Sequence, residues 1–306
     1  MTPGLENSKV AAFGCSYGAS LATWLRYKFP HLVDAAWASS GPLQAELDFY
    51  QYYEVAGEMY ANVSSECIAI IRQGYREAKK VLSTPEGLEE NRDVFQNWTC
   101  GNVTEMTADD ILAYIRAVVS DQYNTPKHDV ESCKFLQSKN ATTSCFQQLA
   151  AFVVNKSEDV CFEDEESNDL NWKYQTCTEF GFSFTTTSLN QPFRDTYPAI
   201  DIDLESCAED FGEGLTRKVL QRSIDRINRV YGATNLQVTR VLSVHGTHDP
   251  WHRLGLYQEK NKDSPVLLIP GTSHCADMSK LESEPESFQL TEGKRKGMEI
   301  MEHWLK

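Results

Sequence analysis

The chain has 306 residues, with 44 acidic against 29 basic side chains and a formal net charge of −15. That balance argues against a nucleic-acid binder, because phosphate recognition needs a basic face. A hydrophobic fraction of 41% with 11% aromatics suits a packed globular protein, and no stretch approaches ~18 uninterrupted apolar residues, so no membrane span is predicted.

The chain opens Met-Thr-Pro-Gly-Leu-Glu-Asn-Ser, without a charged n-region or a long apolar h-region. Residues 9–13, Lys-Val-Ala-Ala-Phe, read as a buried strand ending at Gly14. Residues 17–29 read as a helix, with Leu21, Trp24, Leu25 and Lys28 at helical spacing and Pro30 as the stop. Val33–Ser39 reads as a second buried strand closed by Gly41-Pro42. Strand, turn, helix and strand in this order predict a parallel α/β sheet.

From residue 43 the composition turns to Tyr, Gln, Glu, Asn and Cys, with helical stretches at Glu66–Val81 and Ala108–Ser120 and a solvated acidic loop at Glu158–Asp169. From about residue 216 the α/β character returns. Arg217–Tyr231 reads as a helix closed by Gly232, Val238–Val244 and Pro265–Ile269 as strands, and Glu292–Lys306 as an amphipathic helix with Met298, Ile300, Met301 and Leu305 on or near one face. The expected organisation is an α/β segment over 1–42, a helical, disulfide-bearing insertion over 43–180 and a second α/β segment over 181–306.

Seven of the nine cysteines, from Cys67 to Cys207, fall in the middle of the chain, together with five Asn-x-Ser/Thr sequons at Asn62, Asn97, Asn102, Asn140 and Asn155. The combination predicts a glycosylated, oxidised protein of the secretory pathway. An odd count leaves one thiol unpaired in a monomer. Cys15 and Cys275 are the thiols expected to lack a partner in the insertion, with Cys15 the first candidate. An oxidised chain without a leader at its start reads as the C-terminal portion of a longer protein.

The chemistry falls at three turns that follow strands. Gly14-Cys15-Ser16-Tyr17-Gly18 matches G-x-S-x-G between a strand and a helix, the context a nucleophile elbow requires. Ser16 is the candidate nucleophile, and the backbone N–H of Tyr17 a candidate oxyanion donor. A serine hydroxyl needs a base to take its proton, and hydrolases of this type place the acid and then the base after later strands. Asp249 follows Val238–Val244, and His274 follows Pro265–Ile269. His245, His248 and His252 compete as bases but crowd around Asp249. Asp277 competes as the acid but is too near His274 in sequence to orient it from another loop. No cofactor or metal site is expected.

These motifs resemble the serine carboxypeptidase S28 family. The elbow and Leu21–His31 look like its elbow and following helix, and Ala38-Ser39-Ser40-Gly41-Pro42 resembles its A-S-S-A-P. Trp172–Phe182 resembles its W-x-Y-Q-x-C-T-E segment, His248–Trp251 its acid loop and Gly271–Met278 its base loop. The resemblance implies an α/β-hydrolase fold with an inserted helical lid. It also implies exopeptidase action on short or proline-containing peptides, in a lysosomal, endosomal or secreted setting, by the triad Ser16, Asp249 and His274. Trp251 and Glu179 are candidates for the substrate pocket. Peptides are the expected partners, a homodimer is allowed, and neither nucleic acid nor membrane is expected. The chain departs from the family in having Cys15 where glycine is usual. It also lacks the strands and the tyrosine loop that precede the elbow, which predicts an incomplete oxyanion hole and a loss of ~10²–10³ in rate. Two competing expectations are an inactive binding or decoy isoform and a lipase or esterase using the same triad.

Overall fold

The structure is a computed structural model that describes residues 8–92, 94–95, 106–138, 143–156, 166–194, 199–259, 261–279 and 286–306. In chain order the elements are β1 (Ala11–Cys15), α1 (Tyr17–Lys28), β2 (Ala35–Ser39), β3 (Glu46–Asp48), α2 (Gln51–Val63), α3 (Ser65–Leu82), α4 (Pro85–Arg92), α5 (Ala108–Val119), α6 (Pro126–Gln137), α7 (Cys145–Lys156), α8 (Glu166–Gln175), β4 (Gly181–Ser183), α9 (Ala199–Phe211), α10 (Arg217–Tyr231), β5 (Val241–Gly246), β6 (Val266–Ile269) and α11 (Phe288–Leu305). They form two compact units, one from residues 1–47, 179–181 and 217–306 and the other from 48–178 and 182–216.

The first unit is an α/β layer structure. Its sheet runs β1-β2-β5-β6, parallel throughout, with Phe13 opposite Trp37, Trp37 opposite Leu242 and Val244 opposite Leu267. Side chains alternate across a strand, and the sheet uses both faces. Gly14 faces α1, where a Cβ would come within 2.1 Å of the Gly18 carbonyl oxygen, so only glycine lets helix and strand meet there. Ala35, Trp37, Leu242, Val244 and Ile269 face the other way and pack with Met301 of α11. That helix presents a strip at i, i+4 and i+8. A Cβ at Gly293 would meet Ile269, and one at Gly297 would lie 2.3 Å from the Trp37 ring. Gly293, Gly297 and Met301 therefore form the buried face, whereas Met298 points outward. Ser287 caps the helix through the Leu290 N–H, so it starts a turn before Glu292.

Strand β5 begins later than the apolar run at Val238. Arg240 has a positive φ, and the Val238 carbonyl is taken by Ser264 Oγ and Asn261 Nδ2 rather than by a strand neighbour. Buried Arg26 of α1 locks the same corner by donating to the carbonyls of Thr239, Pro30 and Val33. Asn228 of α10 exchanges two hydrogen bonds with the Ala45 backbone.

The second unit is helical. Its helices begin with side-chain caps from Ser64, Thr107 and Thr125, the second in a reciprocal box with Asp110. Disulfides join Cys67 to Cys133 and Cys177 to Cys207. Residues 182–216 belong to this unit, so the second α/β segment starts at 217 and not at 181. Cys207 of α9 is covalently held to Cys177, and Phe193 packs between Tyr53 and Tyr75, which keeps the stretch with the helices. Asn62 and Asn155 are exposed at helix ends, while the sequons at Asn97, Asn102 and Asn140 lie outside the described residues. So do residues 158–165 of the acidic stretch; its remainder begins α8.

The glycine strip on α11 generates a prediction. Gly297→Val should destabilise the chain by about 1–3 kcal/mol, as an overpacked contact does, read as a lower urea midpoint. An unchanged midpoint would contradict the close approach to Trp37.

Candidate active site

Ser16, Asp249 and His274 each follow the C-terminal end of a sheet strand, namely β1, β5 and β6. Ser16 turns the chain from strand to helix with φ 56° and ψ −128°, a strained conformation typical of an elbow. Its N–H donates to the Ser39 carbonyl at 2.9 Å, and its own carbonyl accepts the first bonds of α1 from Ala19 and Ser20. Tyr17 is the first residue of α1, so its N–H belongs to the turn that has no helical carbonyl four residues back.

Asp249 is fully buried. Its Oδ1 accepts from the Trp251 N–H at 3.0 Å and from His274 Nδ1 at 2.9 Å. A carboxylate accepts only, so His274 Nδ1 is the donor in this pair. The other histidines of the acid loop are used elsewhere. His252 Nδ1 donates to the Asp249 carbonyl at 2.6 Å, and His248 Nδ1 lies 3.5 Å from Thr247 Oγ1. His245 sits inside β5, where burial pushes its pKa from the ordinary 6.5 down to about 4 and keeps it neutral. Of the histidines weighed from sequence, His274 is the one bonded to the Asp249 carboxylate.

The base loop is docked from three sides. His248 N–H donates to the Thr272 carbonyl and Gly271 N–H to Thr247 Oγ1, which zip it to the acid loop. Cys275 N–H donates to Ser40 Oγ at 2.9 Å. Asp277 accepts from Ser39 Oγ at 2.5 Å and from Trp37 Nε1 at 2.7 Å. The carboxyl weighed as a rival acid thus anchors the loop to β2. Burial holds it above the usual carboxylate range, against the lowering effect of those two donors. The Ser39-Ser40 pair of the sequence motif supplies the docking hydroxyls.

Cys15 is not a free thiol. It is joined to Cys275, with Cα atoms 5.7 Å apart across 260 residues of sequence. The disulfide therefore links the residue before Ser16 to the residue after His274. Alternation along β1 puts Cys15 on the face occupied by the base loop, which explains the pairing. Among the described residues the unpaired cysteine is Cys145; Cys100 and Cys161 lie outside them.

The two pocket candidates differ. Trp251 is buried with its ring 6.3 Å from that of His274, so it backs the base. Glu179 is half-buried in a π-helical turn over Thr176–Phe180. Burial raises the Tyr17 phenol, and the charge of Glu179 adds to the rise. Tyr17 packs against Phe180 at 5.4 Å, and Trp24 stacks on Tyr231 at 4.2 Å. Phe180, Trp24 and Tyr231 were not singled out from sequence. Trp24 was visible there only as a helix-face residue, and the other two come from distant parts of the chain.

A family model described as serine carboxypeptidase S28 matches residues 2–296. The thymus-specific serine protease of Mus musculus is 32% identical over 98% of this chain and 65% of its own length. The putative serine protease K12H4.7 of Caenorhabditis elegans is 30% identical over 99% of this chain and 66% of its own. The lysosomal Pro-X carboxypeptidase of Homo sapiens is 23% identical over 99% and 65%. The chain thus spans just under two thirds of the length of these relatives. A proline iminopeptidase structure from Mycobacterium smegmatis aligns over 97% of this chain and 67% of its own, at 13% identity and a TM-score of 0.31.

Neutral buried His245 generates a pH prediction. The unfolded chain takes up this proton below 6.5, whereas the folded chain takes it up only below about 4. Between these values the unfolded state holds more protons, so stability falls as pH falls through the window. The stability gap between the chain and its His245→Asn variant should shift by a few kcal/mol across that range, measured by urea unfolding at each pH. A pH-independent gap would contradict the assignment.

Proposed function

The chain belongs to the serine carboxypeptidase S28 family, and from that premise we propose that it is a serine exopeptidase acting through Ser16, His274 and Asp249. The observation that carries the reading is the 2.9 Å bond between His274 Nδ1 and a fully buried Asp249, at the same end of the sheet as a strained G-x-S-x-G turn.

Ser16 Oγ attacks the scissile carbonyl carbon while His274 Nε2 takes its proton. Asp249 holds the imidazole with Nε2 toward the reaction and stabilises the imidazolium as it forms. The oxyanion accepts from the Tyr17 N–H, with the positive end of the α1 dipole behind it. The imidazolium returns the proton to the leaving amine. Water then cleaves the acyl-enzyme through the same base.

The substrate reading is short peptides with proline next to the scissile bond. It is supported by the kinship to a protein named Pro-X carboxypeptidase and by the motif set along the chain. The half-buried ring of Tyr17 beside the elbow, backed by buried Phe180, suits a proline ring. Secretory or lysosomal residence is supported by the sequons and the disulfide pairs.

A fluorophosphonate probe should label the chain, and Ser16→Ala should abolish the label. Asp249→Asn should lower kcat by ~10⁴ by imposing the wrong tautomer. Labelling that survives in Ser16→Ala would sink the nucleophile assignment. Peptides carrying X-Pro at the amino end and Pro-X at the carboxyl end, compared by kcat/KM, separate dipeptidyl-peptidase from carboxypeptidase action. Equal indifference to proline in both would remove the substrate reading.

A further inference from the structure

The Cys15–Cys275 disulfide joins the residue before the proposed nucleophile to the residue after the proposed base. The hydrogen bonds that dock the base loop lead elsewhere. Cys275 N–H donates to Ser40 Oγ, and Asp277 accepts from Ser39 Oγ and Trp37 Nε1, so these bonds run to β2. Gly271 and Thr272 are bonded to Thr247 and His248 of the acid loop. Ser279 Oγ accepts from the buried ammonium of Lys294 on α11 at 2.8 Å. None of these bonds reaches β1. The disulfide is the tie that runs directly from the base loop to the strand carrying Ser16.

We infer that Cys15 and Cys275 are positioning residues for the proposed hydrolysis: their crosslink sets the placement of Ser16 relative to His274, and opening it slows attack while His274 stays on Asp249. The inference rests on the peptidase reading. Without the crosslink, the elbow is referred to the base loop through two separate hydrogen bonds, from Ser16 N–H to the Ser39 carbonyl and from Cys275 N–H to Ser40 Oγ, each 2.9 Å long. Both ends of the crosslink also lie in strained backbone. Ser16 and Cys275 each have φ 56°, and such a conformation persists only when its surroundings over-determine it. The bond from His274 to Asp249 is different, because the acid and base loops are zipped together by bonds that do not involve the cysteines. A nucleophile displaced by ~1 Å loses ~10²-fold in rate.

Both cysteines are half-buried, so a small dithiol can reach the bond. Its thiolate attacks one sulfur, breaks the Cys15–Cys275 bond and forms a mixed disulfide. Its second thiol then displaces the cysteine and closes a cyclic disulfide. Two electrons and two protons pass to the protein, which ends with two thiols. A small disulfide oxidant takes them back and reforms the crosslink. The rate of hydrolysis therefore follows the redox state of this pair.

The test compares the unreduced chain with a Cys15→Ala/Cys275→Ala double variant that has met no reductant, so that Cys67–Cys133 and Cys177–Cys207 stay oxidised in both. The variant should react with a fluorophosphonate probe ~10²-fold more slowly. On a proline-containing peptide its kcat should fall and its KM should stay. Its downfield His274 Nδ1 proton resonance should remain, which a crosslink that merely kept the loop folded would not allow. Dithiothreitol should slow the parent chain to a similar degree, and oxidised glutathione should restore it. A double variant that is labelled at the parent rate overturns the proposal, as does loss of the resonance from a folded double variant. If the double variant does not fold, graded reduction of the parent decides. The labelling rate must then fall with the alkylation of Cys15 and Cys275, and a rate that follows Cys67 or Cys177 instead overturns the proposal. An unreduced chain that is never labelled overturns the peptidase reading and this proposal with it, whereas labelling indifferent to the crosslink overturns this proposal alone.

Discussion

The hydrogen bond between Asp249 and His274 is the interaction on which the arrangement of the first unit turns. A buried carboxylate is costly unless it is bonded, and Asp249 Oδ1 takes donors from its own loop and from the next one, while its buried Oδ2 has no hydrogen-bond partner among the described residues. To bring His274 to it, the loop after β6 must reach back across the strand ends. The sheet order makes this short, since β5 and β6 are neighbours and β2, which separates β5 from β1, supplies the docking hydroxyls.

That constraint accounts for three of the six non-glycine residues with positive φ among the described residues. Ser16, Ser40 and Cys275 all have φ of 56° without being glycine, a conformation that costs on the order of 1–3 kcal/mol per residue. The three are connected. Ser16 donates to the Ser39 carbonyl, Cys275 donates to Ser40 Oγ, and Cys275 is bonded to the residue before Ser16. The strained turns hold one another in place. Behind them the sheet is clamped by α1 at Gly14 on one face and by the glycine strip of α11 on the other. A rigid floor under mobile chemistry is what a preformed hydrolytic site requires.

Much of this was legible in the sequence where the signal is local. The elbow is a pentapeptide between a strand and a helix, and Asp249 and His274 each sit just after an apolar run. The α/β class and its interruption by a helical body followed from the change of composition near residues 43 and 216. What was not legible depends on contacts between distant residues. Asp277 looked like a rival acid because its real partners, Trp37 and Ser39, lie 240 and 238 residues away. Cys15 looked unpaired because its partner lies 260 residues on. The late start of β5 depends on Arg240 and on side chains from residues 261–264. The glycines of α11 carry no apolar signal, so the helix's buried face could not be told from Met298 and its neighbours.

The most direct test of the account is the proton on His274 Nδ1. Proton NMR of the chain should show a downfield imidazole resonance that survives in Asp277→Asn and disappears in both Asp249→Asn and His274→Gln. That result would identify Asp249 as the group that orients the base. A resonance that persists in Asp249→Asn, or one that vanishes in Asp277→Asn while the fold stays intact, would contradict the assignment and with it the proposed catalytic arrangement.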